Sequence, residues 1–261
     1  MKKSFLGLAI IAVILGSCKK DPNDPQPSTP GTPAATTGSL KIELENMVDT
    51  NELVLNTVNY VSANGDTFTV SKFNYFISNI KLTKSDGSVY VESESYHLVK
   101  ESDASSKTFT IANVPYGTYT AISFMIGVDS ARNVSGAQTG ALSQNNDMYW
   151  NWTTGYIMAK FEGTSPKSPA TNHLLTYHMG GFKGVNSVLR TVTPSFNSST
   201  ATVSSSVTPE IHMKADLSEW FKNPTNNVNF ATTHTIHMAG ADAKAIADNY
   251  QKMFSVEHIH N

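Results

Sequence analysis

Beyond residue 39 the chain alternates apolar and polar positions with a period of two. Leu40, Ile42 and Leu44 alternate with Lys41, Glu43 and Glu45, the pattern of a half-buried strand. Phe68 and Val70 repeat it, as do Ile80 and Leu82 before a turn at Ser85-Asp86-Gly87. Val89 and Val91, then Phe109 and Ile111, carry the series to a turn within 113–117. Residues 119–126, 156–161, 174–179 and 211–215 read as later strands. Many short strands divided by Gly, Pro, Asn and Asp predict a mainly β fold, an elaborated antiparallel β-sandwich. Helix is short and C-terminal. Asp216-Leu217-Ser218-Glu219 has the spacing of a capping box, followed by Trp220 and Phe221 and ended by Asn223-Pro224. Residues 240–252 place Ala243, Ile246, Ala247 and Tyr250 on one helical face. The Ser- and Thr-rich stretch 191–208 reads as a long loop or an irregular edge hairpin.

The N-terminal pattern is different. Lys2 and Lys3 precede an apolar run over 5–15, too short for a permanent span and suited to an export signal. Leu15-Gly16-Ser17-Cys18 follows and looks like a lipoprotein processing site, which makes Cys18 the expected lipidated residue. Five prolines between Pro22 and Pro33 alternate with Asn, Ser, Thr and Gly, a composition that cannot offset the entropy of ordering. The expected organisation is a signal peptide over 1–17, a lipidated cysteine and tether over 18–39, and one domain over 40–261. Such a protein is held to a membrane of the cell envelope through its lipid anchor. The expected location is the outer membrane, facing the periplasm or the exterior.

Composition narrows the functions. Lys and Arg number 19 against 21 Asp and Glu, for a formal net charge of -2. That balance argues against electrostatic binding to nucleic acid. The single cysteine excludes an intramolecular disulfide and any site that needs four thiolates. No Gly-x-Ser-x-Gly elbow, phosphate-cradling glycine run or His-Glu-x-x-His helix is present. Glu162, Glu210 and Asp216 are carboxylates that nothing in the sequence pairs. The expectation is a protein that is not an enzyme.

The candidate chemistry lies in histidine. His178-Met179, His212-Met213 and His237-Met238 are three pairs of an imidazole and a thioether, both metal ligands. Neighbours on a strand face opposite sides, so a site would collect one residue from each of several pairs while the others pack the core. His234 and His237 could sit together on a loop, and His258 and His260 share a strand face or end a frayed tail. His97 and His173 lack comparable partners. The second dense segment is Met148-Tyr149-Trp150-Asn151-Trp152 with Gly155-Tyr156. It reads as core packing, as an aromatic platform for a sugar, or as a wall beside a metal. Asp129, Asn133, Asn145, Asn146 and Asp147 could clip a calcium ion or stabilise their own loops.

A run of motifs carries a family resemblance. It comprises residues 73–80 (Phe-Asn-Tyr-Phe-Ile-Ser-Asn-Ile), residues 114–119 (Val-Pro-Tyr-Gly-Thr-Tyr) and residues 124–128 with Asn133. It continues through Leu142, residues 148–152, Gly155-Tyr156, Phe161-Glu162-Gly163, Tyr177-His178-Met179-Gly180, His237-Met238 and Asn249-Tyr250 with Met253-Phe254. Over roughly 40–256 the chain resembles the methanobactin-operon periplasmic copper-binding proteins, the MbnP-like group. That resemblance implies an exported β-rich protein associated with copper, for its acquisition, storage or handling. It also implies a partner dihaem enzyme that oxidises a tryptophan near the metal. Carried over by motif, His178 is the leading ligand, with His237 and His212 beside it. Trp150, Trp152 and Met148 are the nearby or modified positions, and Met179 and Met238 are further thioether options. Gly181-Phe182-Lys183-Gly184 stands where family members often carry a cysteine, which removes that family's disulfide. The alternatives are a cell-surface adhesion or glycan-binding module, or the same fold without a metal.

Overall fold

The structure, a computed structural model, describes residues 36–151, 153–222 and 227–261. The signal segment, Cys18, most of the tether, Trp152 and Asn223-Pro224 therefore lie outside the described residues. In chain order the strands are β1 (Thr37–Val48), β2 (Asn51–Glu52), β3 (Tyr60–Val61), β4 (Thr67–Lys84), β5 (Val89–Val91), β6 (Tyr96–Lys100), β7 (Thr108–Pro115) and β8 (Gly117–Ile126). They continue as β9 (Tyr149–Asn151), β10 (Gly155–Thr164), β11 (Leu174–Gly180), β12 (Arg190–Val192), β13 (Ala201–Val203), β14 (Glu210–Asp216), β15 (Thr235–Ile236) and β16 (Phe254–His260). The helices are α1 (Ser130–Asn133) and α2 (Ala241–Tyr250).

These strands make two curled, half-barrel-like sheets. One runs β16-β14-β1-β2, with β7 also on β1. The other runs β12-β8-β4-β10-β11-β15, with shorter strands joined to β4, β8 and β10. The mainly β sandwich read from the alternation is the architecture observed. It is not wholly antiparallel, because β1 pairs with β14 and β11 with β15 in parallel. Parallel neighbours need a crossover. The chain between β1 and β14 contains most of the larger sheet.

The two apolar segments around Phe68 and Ile80 belong to one 18-residue strand, β4. Asn79, at φ 54°, interrupts its alternation, and the register with β8 slips between Ser78 and Lys81. Asparagine tolerates this left-handed backbone better than a β-branched residue such as the neighbouring Ile80. The slip lets β4 pair with β10 along one half and β8 along the other. The stretch 191–208 contributes β12 and β13 at the edge of β8.

Between the sheets the inward positions form a core rich in rings. Phe68 meets Phe161, Phe221 and Phe230 edge-on at centroid distances of 5.3–6.1 Å. Such contacts add to the burial of large apolar area. The helix read over 240–252 is α2, which buries Ala243, Ile246, Ala247 and Tyr250. The capping motif at Asp216 produces a single 3₁₀ turn, Leu217–Trp220, with Asp216 accepting from the Ser218 amide at 2.8 Å. Among the described residues no helix is long and apolar enough to cross a membrane.

One buried polar link crosses the core. Tyr75 on β4 donates its hydroxyl to Asn46 Oδ1 on β1 at 2.8 Å. Asn46 Nδ2 donates in turn to Glu101 at 2.8 Å. Tyr75 and Asn46 are both shielded from water, and burial holds the Tyr75 phenol well above its usual pKa. Replacing Tyr75 with Phe leaves the Asn46 oxygen without its donor. The expected loss is about 1–3 kcal/mol of unfolding free energy, read from denaturant midpoints at unchanged m-value.

Candidate metal centre

Strand β11 sorts its side chains by parity. Leu175, Tyr177 and Met179 are fully buried, while Thr176 and His178 turn to the outer face. The parallel register between β11 and β15 pairs Thr176 with Thr235 and Tyr177 with Ile236. His237 follows Ile236, and its ring lies 5.0 Å from that of His178, edge to face. Two of the three sequence-marked imidazoles thus meet at the edge of the larger sheet.

The neighbouring strand fixes the orientation of one of them. His178 Nε2 lies 2.8 Å from Glu162 Oε1 on β10. A carboxylate accepts from Nε2–H, so the lone pair resides on Nδ1. Glu162 Oε2 lies 3.6 Å from Lys72 Nζ, which is 2.8 Å from Asp147 Oδ2. Lys160, directly across from His178 in register, is 1% exposed. Its ammonium reaches Asp147 Oδ2 at 2.9 Å and donates to the Asp147 carbonyl. Burial pushes the His178 imidazole below its ordinary pKa; Glu162 opposes this, and the charges on Lys160 and His237 reinforce it. The ring is therefore neutral near pH 7, with a lone pair available to a metal.

The aromatic segment covers this face. β9 pairs with β10, and the Trp150 ring lies against Gly180, two residues along β11 from His178. A Cβ on Gly180 would fall 2.0 Å from Trp150 Cζ3. Gly181, at φ 118°, admits Ala239, to which a Cβ there would come within 2.8 Å. Trp150, Thr154, Phe182 and Ala239 help to line an adjoining cavity of about 210 Å³.

The methionines of the three pairs are placed unequally. Met179 and Met213 are core residues on the faces opposite their histidines. Strand parity thus withdraws Met179 from the side His178 occupies. Met238 lies past the end of β15 and is 70% exposed, so it does not pack the core as its pairing with His237 suggested. Met148 is buried in the core.

His212 is not with His178 and His237. It lies on β14 in the smaller sheet, beside Glu43 and Glu210 and against the rings of His258 and His260. Of the remaining histidines, the His97 and His173 rings serve local structure, whereas His234 Nδ1 is buried without a hydrogen-bond partner. His97 stacks on Phe109 at 3.8 Å and meets Glu92 at 3.0 Å. His173 Nδ1 bonds the Ser168 carbonyl at 2.9 Å. His234 presents a backbone carbonyl to the Thr176 amide at 2.9 Å.

The oxygens considered for calcium are largely engaged by protein donors. Asp129 caps α1 and accepts from Tyr96, and Asn133 Oδ1 accepts from the Tyr156 amide at 3.0 Å. Asn146 Oδ1 accepts from Lys100 at 3.2 Å, and Asp147 binds Lys72 and Lys160. Among the described residues no catalytic constellation is assembled.

Comparison with known proteins agrees with this architecture. The MbnP family profile matches residues 37–239, most of the chain. The chain belongs to the MbnP family. A solved structure, MbnP from Methylosinus trichosporium, is similar in fold, with a TM-score of 0.55 at 13% identity. The alignment covers 85% of this chain and 99% of that one. No match was found among curated proteins. The MbnP match includes His178, His237, His212 and Trp150; His258 and His260 lie beyond it.

Two consequences are measurable. Burial alone would raise the Asp147 carboxyl, but hydrogen bonds from Lys72 and Lys160 outweigh it and hold the pKa at about 2. The folded state therefore binds fewer protons than the unfolded chain, and this stabilisation is lost as pH falls from ~4 towards ~2. Asp147→Asn should flatten that part of the acid stability curve and lower stability at pH 7 by about 1 kcal/mol, a value discounted for the exposure of the carboxylate. In a second variant, Gly180→Ala, the added methyl displaces the Trp150 ring. A shifted tryptophan emission maximum is expected while the far-ultraviolet circular dichroism stays unchanged.

Proposed function

We propose that this protein binds copper at the edge of β11 and β15, with His178 and His237 as the principal ligands. The supporting observation is the pairing of a neutral, carboxylate-oriented His178 with the adjacent His237 ring at 5.0 Å. Imidazole nitrogens are ligands for both copper oxidation states. Glu162 acts behind His178, as outer carboxylates do behind metal-bound imidazoles generally. Calcium is disfavoured here, because it takes oxygen ligands. The third imidazole named by the resemblance, His212, is not part of this centre. Trp150 is the aromatic neighbour, which makes it the residue to examine for oxidation by a dihaem partner.

The role we infer is copper acquisition, storage or handling in the cell envelope. The protein would be tethered through Cys18 to a membrane, with the outer membrane and its periplasmic or exterior face as the proposed location. No catalytic step is assigned to it.

The experiment is copper titration of the full chain, purified in detergent without an affinity tag, alongside His178→Ala and His237→Ala. Each variant should lose at least about 10-fold in affinity for the ion at this site, with Glu162→Gln intermediate. Equal affinity and stoichiometry in the native chain and both histidine variants would refute the proposal. Intact mass reports tryptophan oxidation separately.

A further inference from the structure

The smaller sheet carries a second group of imidazoles. On its outer face β14 pairs in parallel with β1, placing Glu43 opposite His212 and Lys41 opposite Glu210. On the other side it pairs antiparallel with β16, placing His258 opposite His212 and His260 opposite Glu210. The register slips between His212 and Met213, so Met213 faces Val256. This bulge turns both Glu257 and His258 to solvent, in place of strict alternation. His258 and His260 are thereby brought to the same face as His212.

The three rings are in mutual contact. His212 stacks on His258 at 4.2 Å, and His260 stands edge-on to both, at 5.0 and 4.6 Å. One ring nitrogen from each residue lies within 4.8 Å of the others. Two imidazole nitrogens sharing one ion lie at most ~4 Å apart. Small rotations of the exposed rings on β16 close the difference. The end of β16 is held in place, because Asn261 accepts from the Thr202 amide at 2.6 Å and donates to the Thr200 carbonyl at 2.9 Å.

An independent observation points to a ligand. His212 Nε2 is buried and has no hydrogen-bond partner. A desolvated polar atom left in this way is destabilising unless a ligand satisfies it. Cross-strand stacking with His258 accounts for the ring's position but gives that nitrogen no hydrogen bond, and the Glu210 carboxylate 3.7 Å from it is beyond hydrogen-bond reach; a cation can accept its lone pair. The surroundings favour positive charge. Glu43 and Glu210 each lie 3.7 Å from a His212 nitrogen, and Lys41 partly neutralises the pair by binding Glu210 at 2.5 Å. His212 also borders a cleft of about 460 Å³ rimmed by Glu43, Glu45, Glu52 and Glu257, with Lys107 as the opposing cation.

We propose that His212, His258 and His260 form a second metal site, which takes a borderline divalent cation of the Cu(II) and Zn(II) class. The donor set is imidazole with carboxylate close by. It contains no thiolate or thioether, the ligands that select Cu(I). Met213 faces the core on the opposite side of β14. The site is separate from the His178–His237 centre and does not rest on that reading. It joins a β14 residue within the family match to two β16 residues beyond it.

The test uses Zn(II) and Cu(II) separately as probes on the full chain in detergent, without an affinity tag. Three variants are compared with it: His258→Gln/His260→Gln, His212→Gln and His178→Ala. The β16 double variant changes only exposed side chains and should keep the native melting profile. It should lose one bound ion per chain, or at least about 10-fold in affinity at one site. Its Cu(II) paramagnetic resonance should lose the nitrogen couplings of that ion. His212→Gln should show the same loss, while His178→Ala retains the site. Unchanged Zn(II) and Cu(II) stoichiometry and affinity in a folded double variant overturn the proposal. Loss only in His178→Ala also overturns it, while supporting the first centre. Loss only in the β16 and His212 variants supports this site and counts against the other.

Discussion

The pleat of a strand decides which histidines in this protein can meet. Adjacent residues on a strand cannot turn to the same face without a bulge, so an imidazole facing outward sends the next residue inward. On β11 that rule buries Tyr177 and Met179 and turns His178 outward. On β14 it buries Ile211 and Met213 and turns His212 outward, though towards the outer face of a different sheet. The His-Met pairs are therefore not equivalent copies of one ligand unit. Two use the thioether as core packing, and the third lies just past β15, where both side chains emerge. Where the pleat is broken, at the bulge on β16, two successive residues face solvent and a further histidine joins its neighbours.

Charge then distinguishes the two histidine groups. At β11 an alternating series of ions runs from Asp147 through Lys72 to Glu162 and ends on His178. Lys160 is buried beneath that series, and its ammonium is compensated by Asp147 rather than by Glu162. This division matters chemically. If Lys160 were paired with Glu162, the carboxylate would be less available to orient the imidazole. A bound cation must approach a buried ammonium here, which favours a site dominated by strong nitrogen donation over one that relies on electrostatic attraction. At β14 the balance is reversed. Carboxylates outnumber cations around an open cleft, and long-range attraction of a divalent ion is unopposed by a buried positive charge.

Much of this arrangement was legible in the alternation of apolar residues. The outward position of His178 and the inward position of Met179 follow from parity on a strand whose existence the sequence predicts. The helix carrying Ala243, Ile246, Ala247 and Tyr250 is equally local. What the sequence withholds is pairing between strands. Nothing near Glu162 indicates that Thr176 will lie opposite it, or that His178 will be diagonal to it. The parallel pairing of β11 with β15, which delivers His237, depends on a connection of more than fifty residues. β16 was obscured for a different reason. Its bulge gives Glu257-His258 consecutive exposed positions, which breaks the period-two signal and makes an ordered strand look like a polar tail. Glycine was ambiguous as well. Gly180 and Gly181 enter the sequence reading only as parts of motifs, yet they make room for Trp150 and Ala239 respectively.

The role of Trp150 follows from the same close packing. An indole held against a glycine at the strand surface is fixed in position without being removed from the neighbourhood of His178. Gly180 permits a separation that any other residue would prevent, and the covering segment is anchored independently through Asp147 to two lysines of the sheet. Position and anchoring are thus supplied by different interactions. A change at Asp147 acts on the charge and acid stability of the segment, whereas a change at Gly180 acts on the ring directly. The fold can therefore vary the aromatic wall of the β11 centre without altering the Glu162–His178 bond that orients its ligand. It can also vary the exposed rings of β16 without reaching either.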